Sequence, residues 1–225
     1  MIPIVSFIGW QDSGKTTIAQ QVVAILQEKG LRVAVIKSTH HTSINFDRND
    51  SDTHAYSKAG ANMVALLAPD QMVTISHPPE MKLIDIVHRF FHDVDIVIGE
   101  GFKDERHISK IEVSRSDGEL LKDQVNGVVA VVTDRSLPGV SVFRPHQPKE
   151  IAEFIVQQYI NNSEKPDTES VLFVNGKKIP MKGFVQDALA GTVYGFVKSL
   201  KKTENTESIE LRIKLNRQNG TKPYV

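Results

Sequence analysis

Ile4-Val5-Ser6-Phe7-Ile8-Gly9-Trp10-Gln11-Asp12-Ser13-Gly14-Lys15-Thr16-Thr17 is the stretch whose reading decides the fold. A largely apolar, β-favouring run ends at Gly9. Gly14, Lys15 and Thr16 then open a segment with helical periodicity. This is G-x-x-x-x-G-K-[ST] in its required setting, a strand entering a glycine-bracketed turn at a helix N-terminus. The two glycines let the backbone curl with its N–H groups inward, where unpaired amides and the helix dipole favour an anion. Lys15 is placed to reach β- and γ-phosphates, and the Thr16 hydroxyl to bind Mg²⁺. Gly9, Asp12, Ser13, Gly14, Lys15, Thr16 and Thr17 are therefore the expected phosphate-contacting residues. An ordinary Gly-rich strand–helix turn is the plainer alternative, and the agreement of motif with context weighs against it. The stretch predicts a nucleoside triphosphate ligand.

Composition narrows the setting. At 225 residues the chain suits one large domain, or one domain with a small appendix. Its 27 basic and 27 acidic residues cancel, so no broad attraction to nucleic acid or anionic membrane is expected. Cysteine is absent, which excludes disulfides, thiolate metal sites and cysteine nucleophiles. The N-terminus lacks a basic n-region, and Ile4–Ile8 is too short for a signal peptide or membrane span. A cytoplasmic protein is expected.

Beyond the glycine turn, Thr17 to Lys29 places Ile18, Val22, Ile25 and Leu26 at helical spacing, with Gly30 as a C-cap. Leu31 to Lys37 reads as a strand, completing a right-handed βαβ unit. A polar loop, Ser38 to Ser51, contains His40, His41 and Asp47 and leaves the sheet edge where open α/β folds bind ligands. Asp52 to Ala59 reads as a short helix, with Asp52 near its cap and Gly60 ending it. Strands are expected at Met63 to Ala68 and Met72 to Ser76, and an amphipathic helix at Pro79 to Phe91.

The second informative stretch is Asp95-Ile96-Val97-Ile98-Gly99-Glu100-Gly101-Phe102. An apolar strand ending in an acid matches the Walker B element. Glu100 falls at the end where Mg²⁺ and the γ-phosphate belong, and Asp95 at the remote end. A strand ending in a solvated acid is common, so the segment gains weight only by following the first motif.

Further strands are expected at Lys110 to Arg115 and Val125 to Thr133, and a closing helix at Pro148 to Ile160. Asp134 ends the last strand at the ligand edge. It is a guanine-reading carboxylate or, equally, a turn or helix cap. A polar, punctuated stretch marks a boundary, giving a domain over 1–162, a linker over 163–170 and an extension over 171–225. In that extension Asn175-Gly176 predicts a hairpin, Phe184 to Leu200 a helix, and the alternation from Ile209 to Leu215 a strand. Such a unit is small for a core of its own.

Other constellations mostly fail. His40, His41 and His54 lack the carboxylate or thiol spacing that completes a metal site. His88 and His92 are four apart, but Arg89 stands where H-E-x-x-H needs its glutamate. Gly191 and Gly195 form G-x-x-x-G in a stretch polar enough to mean close helix packing in water.

Gly9–Thr17, Lys37-Ser38-Thr39-His40-His41, Asp52 with Lys58-Ala59-Gly60-Ala61, and Gly99-Glu100-Gly101-Phe102-Lys103 together resemble the MobB family of molybdopterin-guanine dinucleotide biosynthesis adapter proteins. The resemblance covers roughly 1 to 160. It implies a GTP-binding, Mg²⁺-dependent phosphate-loop protein with weak GTPase activity. It also implies a homodimer that assists the MobA-like guanylyltransferase joining GMP to molybdopterin. By the same resemblance Lys15, Asp52 and Glu100 are the expected catalytic positions and Thr16, Asp52 and Glu100 the metal positions; His40 of the polar loop and Asp134, where it is not a cap, are the further residues expected beside the nucleotide. The family often carries Gly-Lys before the equivalent of Asp52, where Asp50-Ser51 stand here.

The expected fold is a three-layer α/β P-loop NTPase domain with a mostly parallel sheet, carrying a small α+β C-terminal unit. Three functions compete, in this order. A GTP-binding adapter comes first, and slow turnover is expected because no arginine finger or positioning glutamine is identifiable. A small-molecule kinase with Asp47 as base comes second. A metallochaperone-type GTPase with His40 and His41 as transient ligands comes third.

Overall fold

The computed structural model describes residues 2–42, 44, 51–76, 81–115, 118–161, 170–201 and 203–215. Asp47 and most of the expected linker lie outside the described residues. The chain divides into two compact units, Met1–Glu164 and Lys165–Val225.

In the first unit, β1 (Ile4–Ile8) is buried along its whole length. After the glycine turn come α1 (Lys15–Glu28) and β2 (Val33–Lys37). A short helix α2 (Asp52–Lys58) leads to β3 (Met63–Leu67), β4 (Met72–Ser76) and α3 (Leu83–Phe90). Then follow β5 (Ile96–Glu100), β6 (Ser109–Val113), β7 (Val128–Val132), β8 (Ser141–Phe143) and α4 (Pro148–Ile155), which runs into a π-helical turn over Val156–Asn161. The main sheet has the order β2-β5-β1-β6-β7-β8, and every neighbouring pair in it is parallel. Chain order differs from spatial order because β5 inserts between β1 and β2. The ligand edge of such a sheet lies beyond the strand C-termini.

Alternation along the central strands sorts the side chains into two cores. Val5, Phe7, Ile96 and Ile98 face one side, with Val22 and Leu26 of α1 and Ile151 and Ile155 of α4. Ile4 and Val97 face the other, with Leu83 and Val87 of α3. Helices therefore cover both faces, giving the three-layer α/β arrangement. Each fully buried Leu, Ile or Phe contributes about 1.5–3 kcal/mol, so these apolar strands fix the sheet. The glycine turn hangs from its most buried element.

Two features lie at the periphery, the first an expected pair of strands and the second a strand not expected. β3 and β4 pair antiparallel with each other, from Met63 opposite Ser76 to Leu67 opposite Met72, and form a hairpin separate from the main sheet. β8 is an edge strand that the sequence reading passed over, because three residues give too short an alternation to register.

The second unit contains β9 (Leu172–Val174), β10 (Lys177–Ile179) and α5 (Gly183–Lys198). β9 and β10 pair through the Asn175-Gly176 turn, where both residues have positive φ, 52° and 78°. One expectation is corrected here. Ile209 to Leu215 forms no strand. The alternation is real, but a strand needs a ladder partner for its N–H and C=O groups. Among the described residues β9 and β10 pair only with each other, and Leu211, Ile213 and Leu215 stay exposed.

Candidate phosphate-loop site

β1 delivers the chain to Gly9 at the edge of the sheet. A Cβ on Gly9 would run into the Val113 carbonyl oxygen of neighbouring β6 and lie 2.6 Å from Ser13 Oγ, so only glycine allows this approach. Asp12 is left-handed at φ 58°. Gly14 at φ 91° then turns the chain into α1, and no side chain caps the first turn of that helix. Its opening N–H groups therefore face outward without a side-chain acceptor, the arrangement that suits an anion. Lys15 curls back over the loop, with Nζ donating to the Trp10 carbonyl at 3.0 Å. That bond holds the ammonium at the loop mouth and leaves protons for a ligand oxygen.

Glu100 closes the other side. β5 and β1 are in register from Ile4↔Val97 to Phe7↔Glu100, so the carboxylate arrives beside the loop at the strand end. Thr16 Oγ1 donates to Glu100 Oε1 at 2.9 Å. Lys37, the last residue of β2 and the register partner of Glu100, places Nζ 2.8 Å from the same oxygen. Burial pushes the Glu100 carboxyl up, but hydrogen bonds from Lys37 and Thr16 and the charges of Lys37 and Lys15 outweigh it and hold it below the usual range. Its backbone is equally constrained. The Ser38 N–H donates to the Glu100 carbonyl at 2.9 Å, and the next residue, Gly101, donates to the Phe7 carbonyl at 2.9 Å. A hydroxyl and an ionised carboxylate are hard oxygen donors, the chemistry Mg²⁺ takes.

The opposite flank of the loop is built by β6 and β7. A cleft of about 620 Å³ is lined by Gly14, Thr17, Gln21, Arg115, Asp134 and Pro145, among others. A second, of about 400 Å³, runs between Trp10, Gln11 and Ser13 on one side and Ser114, Arg115 and Glu119 on the other. Their wall is held by charged groups inside the fold. Glu112, wholly buried on β6, accepts from the Leu121 and Lys122 amides at 2.7 and 2.8 Å. Burial raises its carboxyl pKa despite those two bonds and the Arg135 charge. Arg135 donates to Ser114 Oγ and the Gly118 carbonyl, and Arg144 to the Thr133 and Arg135 carbonyls. Trp10 Nε1 ties the phosphate loop to this wall through the Glu119 carbonyl at 3.0 Å. On β6, buried Lys110 bonds the Glu105 and Asn126 carbonyls, and desolvation lowers its pKa.

The structure thus brings Gly9, Asp12, Ser13, Gly14, Lys15, Thr16, Thr17 and Glu100 together at one sheet edge, with Asp134 on the cleft beside them. Asp52 belongs to a different element. It is the first residue of α2, whose cap is Ser51, accepting from the His54 N–H at 3.1 Å. Among the described residues no hydrogen bond or ion pair joins Asp52 or His40 to Lys15, Thr16 or Glu100. Asp95 pairs with Arg32 at 3.3 Å at the far end of β5. His92 lies 3.2 Å from Asp93. No group of three His, Asp or Glu side chains that would hold a metal occurs among the described residues. Sequence reasoning missed Lys37 as a site residue, although its place in Lys37-Ser38-Thr39-His40-His41 was in view. The missing information was the register of β2 on β5. Glu112, Arg135 and Arg144 gave no local signal at all.

Parallel strand order, uncapped α1 and the Lys15–Thr16–Glu100 cluster place the first unit in the class of P-loop NTPase folds. Residues 4–134 match the family described as molybdopterin guanine dinucleotide synthesis protein B, MobB. The chain belongs to the MobB family. It is 28% identical over 169 residues to the molybdopterin-guanine dinucleotide biosynthesis adapter protein of Escherichia coli strain K12, covering 70% of this chain and 93% of that protein. It is 26% identical over 236 residues to a putative adapter protein of the same description from Methanocaldococcus jannaschii, covering 95% of this chain and 98% of that protein. That share takes in most of the second unit. A crystal structure of a molybdopterin-guanine biosynthesis protein B superposes with a TM-score of 0.59 at 32% identity, over 68% of this chain and 98% of the other. Among the described residues no helix is long and apolar enough to cross a membrane.

Proposed function

We propose that the first unit binds GTP with Mg²⁺ and acts as an adapter in molybdopterin guanine dinucleotide formation, assisting the guanylyltransferase that attaches GMP to molybdopterin. The observation that carries nucleotide binding is the Thr16–Glu100 hydrogen bond of 2.9 Å beside Lys15, at the uncapped start of α1. The pathway rests on the family and its named relatives. Backbone amides of Gly14 to Thr17 receive the phosphates, Lys15 neutralises β- and γ-oxygens, and Thr16 with Glu100 holds the metal or its waters. Mg²⁺, when bound, supplies charge neutralisation of the triphosphate. Asp134, on the cleft beyond Thr17 and Gln21, is the carboxylate available to guanine N1–H and N2–H donors. Asp52 and His40 are proposed as further contacts to the nucleotide and its metal. Slow turnover is part of the proposal, because no arginine finger or water-positioning glutamine is identifiable in the sequence. A homodimer and a cytoplasmic setting belong to the same proposal.

Titration calorimetry with Mg²⁺, GTP against ATP, followed by turnover of the tighter ligand, tests this. The expected result is a GTP preference, turnover well below the ~10 s⁻¹ of a median enzyme, and a faster guanylyltransferase when the chain is added. ATP preference, with turnover that rises on adding a small-molecule acceptor, identifies a kinase and overturns the adapter reading.

A further inference from the structure

Lys37 holds an unusual post. Its ammonium lies 2.8 Å from Glu100 Oε1, the oxygen that also accepts from Thr16 Oγ1 at 2.9 Å. In a phosphate-loop site the corresponding hydroxyl and carboxylate face the metal and its waters. The lysine therefore occupies ground where positive charge is wanted. The two partners differ in freedom. The Glu100 side chain is 12% exposed and its peptide is fixed on both sides, whereas the Lys37 side chain is 60% exposed. An exposed cation rests on a fixed anion.

Mg²⁺ bound beside Glu100 would repel the Lys37 ammonium and compete with it for the carboxylate. A γ-phosphate brings new oxygens to the same corner, and they are the stronger attraction for a displaced lysine, which binds phosphate as a flexible point charge. We propose that Lys37 is a γ-phosphate ligand that rests on Glu100 and transfers to the terminal phosphate of a bound nucleoside triphosphate. Lys15 then serves the phosphates from the loop side and Lys37 from the β2 side. The transfer makes the site read triphosphate against diphosphate, since a diphosphate offers Lys37 nothing to move to. Ser38, next in the chain, stays in place because its N–H is bonded to the Glu100 carbonyl, so only the Lys37 side chain moves.

This inference rests on the phosphate-loop reading above, and the test separates the two. Affinities for GTP and GDP, each with Mg²⁺, are measured by calorimetry for the wild-type chain, Lys37→Met and Lys37→Arg. Methionine keeps the length of the stem and removes the charge. Lys37→Met should weaken GTP by about 10- to 100-fold, the scale of one charge-assisted hydrogen bond, and leave GDP within about threefold. Lys37→Arg should restore most of the GTP affinity. Equal weakening of GTP and GDP, or no weakening of either, overturns the γ-phosphate role while leaving the phosphate-loop reading intact. A wild-type chain that binds neither nucleotide overturns both.

Discussion

β5 and β6 flank β1 on either side, and each carries a glutamate that is at least nine-tenths buried. Their fates are opposite. Glu100 ends β5 at the ligand edge, where a hydroxyl and an ammonium meet its carboxylate, which is held ionised below the usual range. Glu112 lies one residue short of the end of β6, roofed by the 118–122 segment, and burial pushes its carboxyl up. One residue of position along a strand separates the carboxylate proposed to meet the metal from one that holds a wall. Burial alone does not distinguish them; the partners do. Glu100 is met by side chains free to exchange it for something else, Glu112 by backbone amides with nowhere else to go.

That contrast breaks first at the loop itself. Lys15→Ala should weaken nucleotide binding by about 100-fold and leave the thermal midpoint nearly unchanged, as calorimetry and melting curves would show. Unchanged affinity would remove Lys15 from the ligand side altogether. Glu112→Ala should do the reverse, stranding the Leu121 and Lys122 amides at a cost of about 1–3 kcal/mol each. The midpoint should fall by several degrees while Mg²⁺ dependence persists. Glu100→Gln keeps an acceptor for Thr16 and removes the charge. Mg²⁺-dependent affinity should drop by about tenfold, with little change when the nucleotide is titrated without metal.

The smallest effect is in pH. The Glu100 carboxyl is lowered in the folded state, so its contribution to stability is present above the ordinary carboxylate range and lost as pH falls through it. The Glu112 carboxyl is raised, so the folded state favours its protonated form, and its contribution declines as pH rises through that range. Urea midpoints from pH 3 to 6 should therefore show opposite slopes when wild type is compared with Glu100→Gln and with Glu112→Gln. Slopes of the same sign would mean the two carboxylates do not differ in kind.

The parts legible in the sequence were those with local causes. Gly9, Gly14, Lys15 and Thr16 state the loop by residue type and spacing, and continuous apolar runs such as Ile96–Ile98 and Val128–Val132 announce buried parallel strands. Glu100 was readable because a strand end is readable. Lys37 was not, because its role depends on which strand lies beside β2, and β5 is some sixty residues away in sequence. Glu112 and Arg135 were hidden for the same reason, their partners being backbone groups that any sequence has. The alternation of Ile209 to Leu215 misled in the other direction, since pattern cannot supply a pairing partner.

Trp10 is the chain's single tryptophan, and it stands in the phosphate loop. Its carbonyl takes Lys15, its indole N–H takes the Glu119 carbonyl, and the Lys103 ammonium lies 5.9 Å from its ring centroid. An indole so placed, half-open to solvent with the Lys103 ammonium near its ring, emits light whose colour and yield follow the loop's own surroundings. All of the chain's tryptophan fluorescence therefore originates at the loop, and the molecule needs no added label to reveal when that loop is filled.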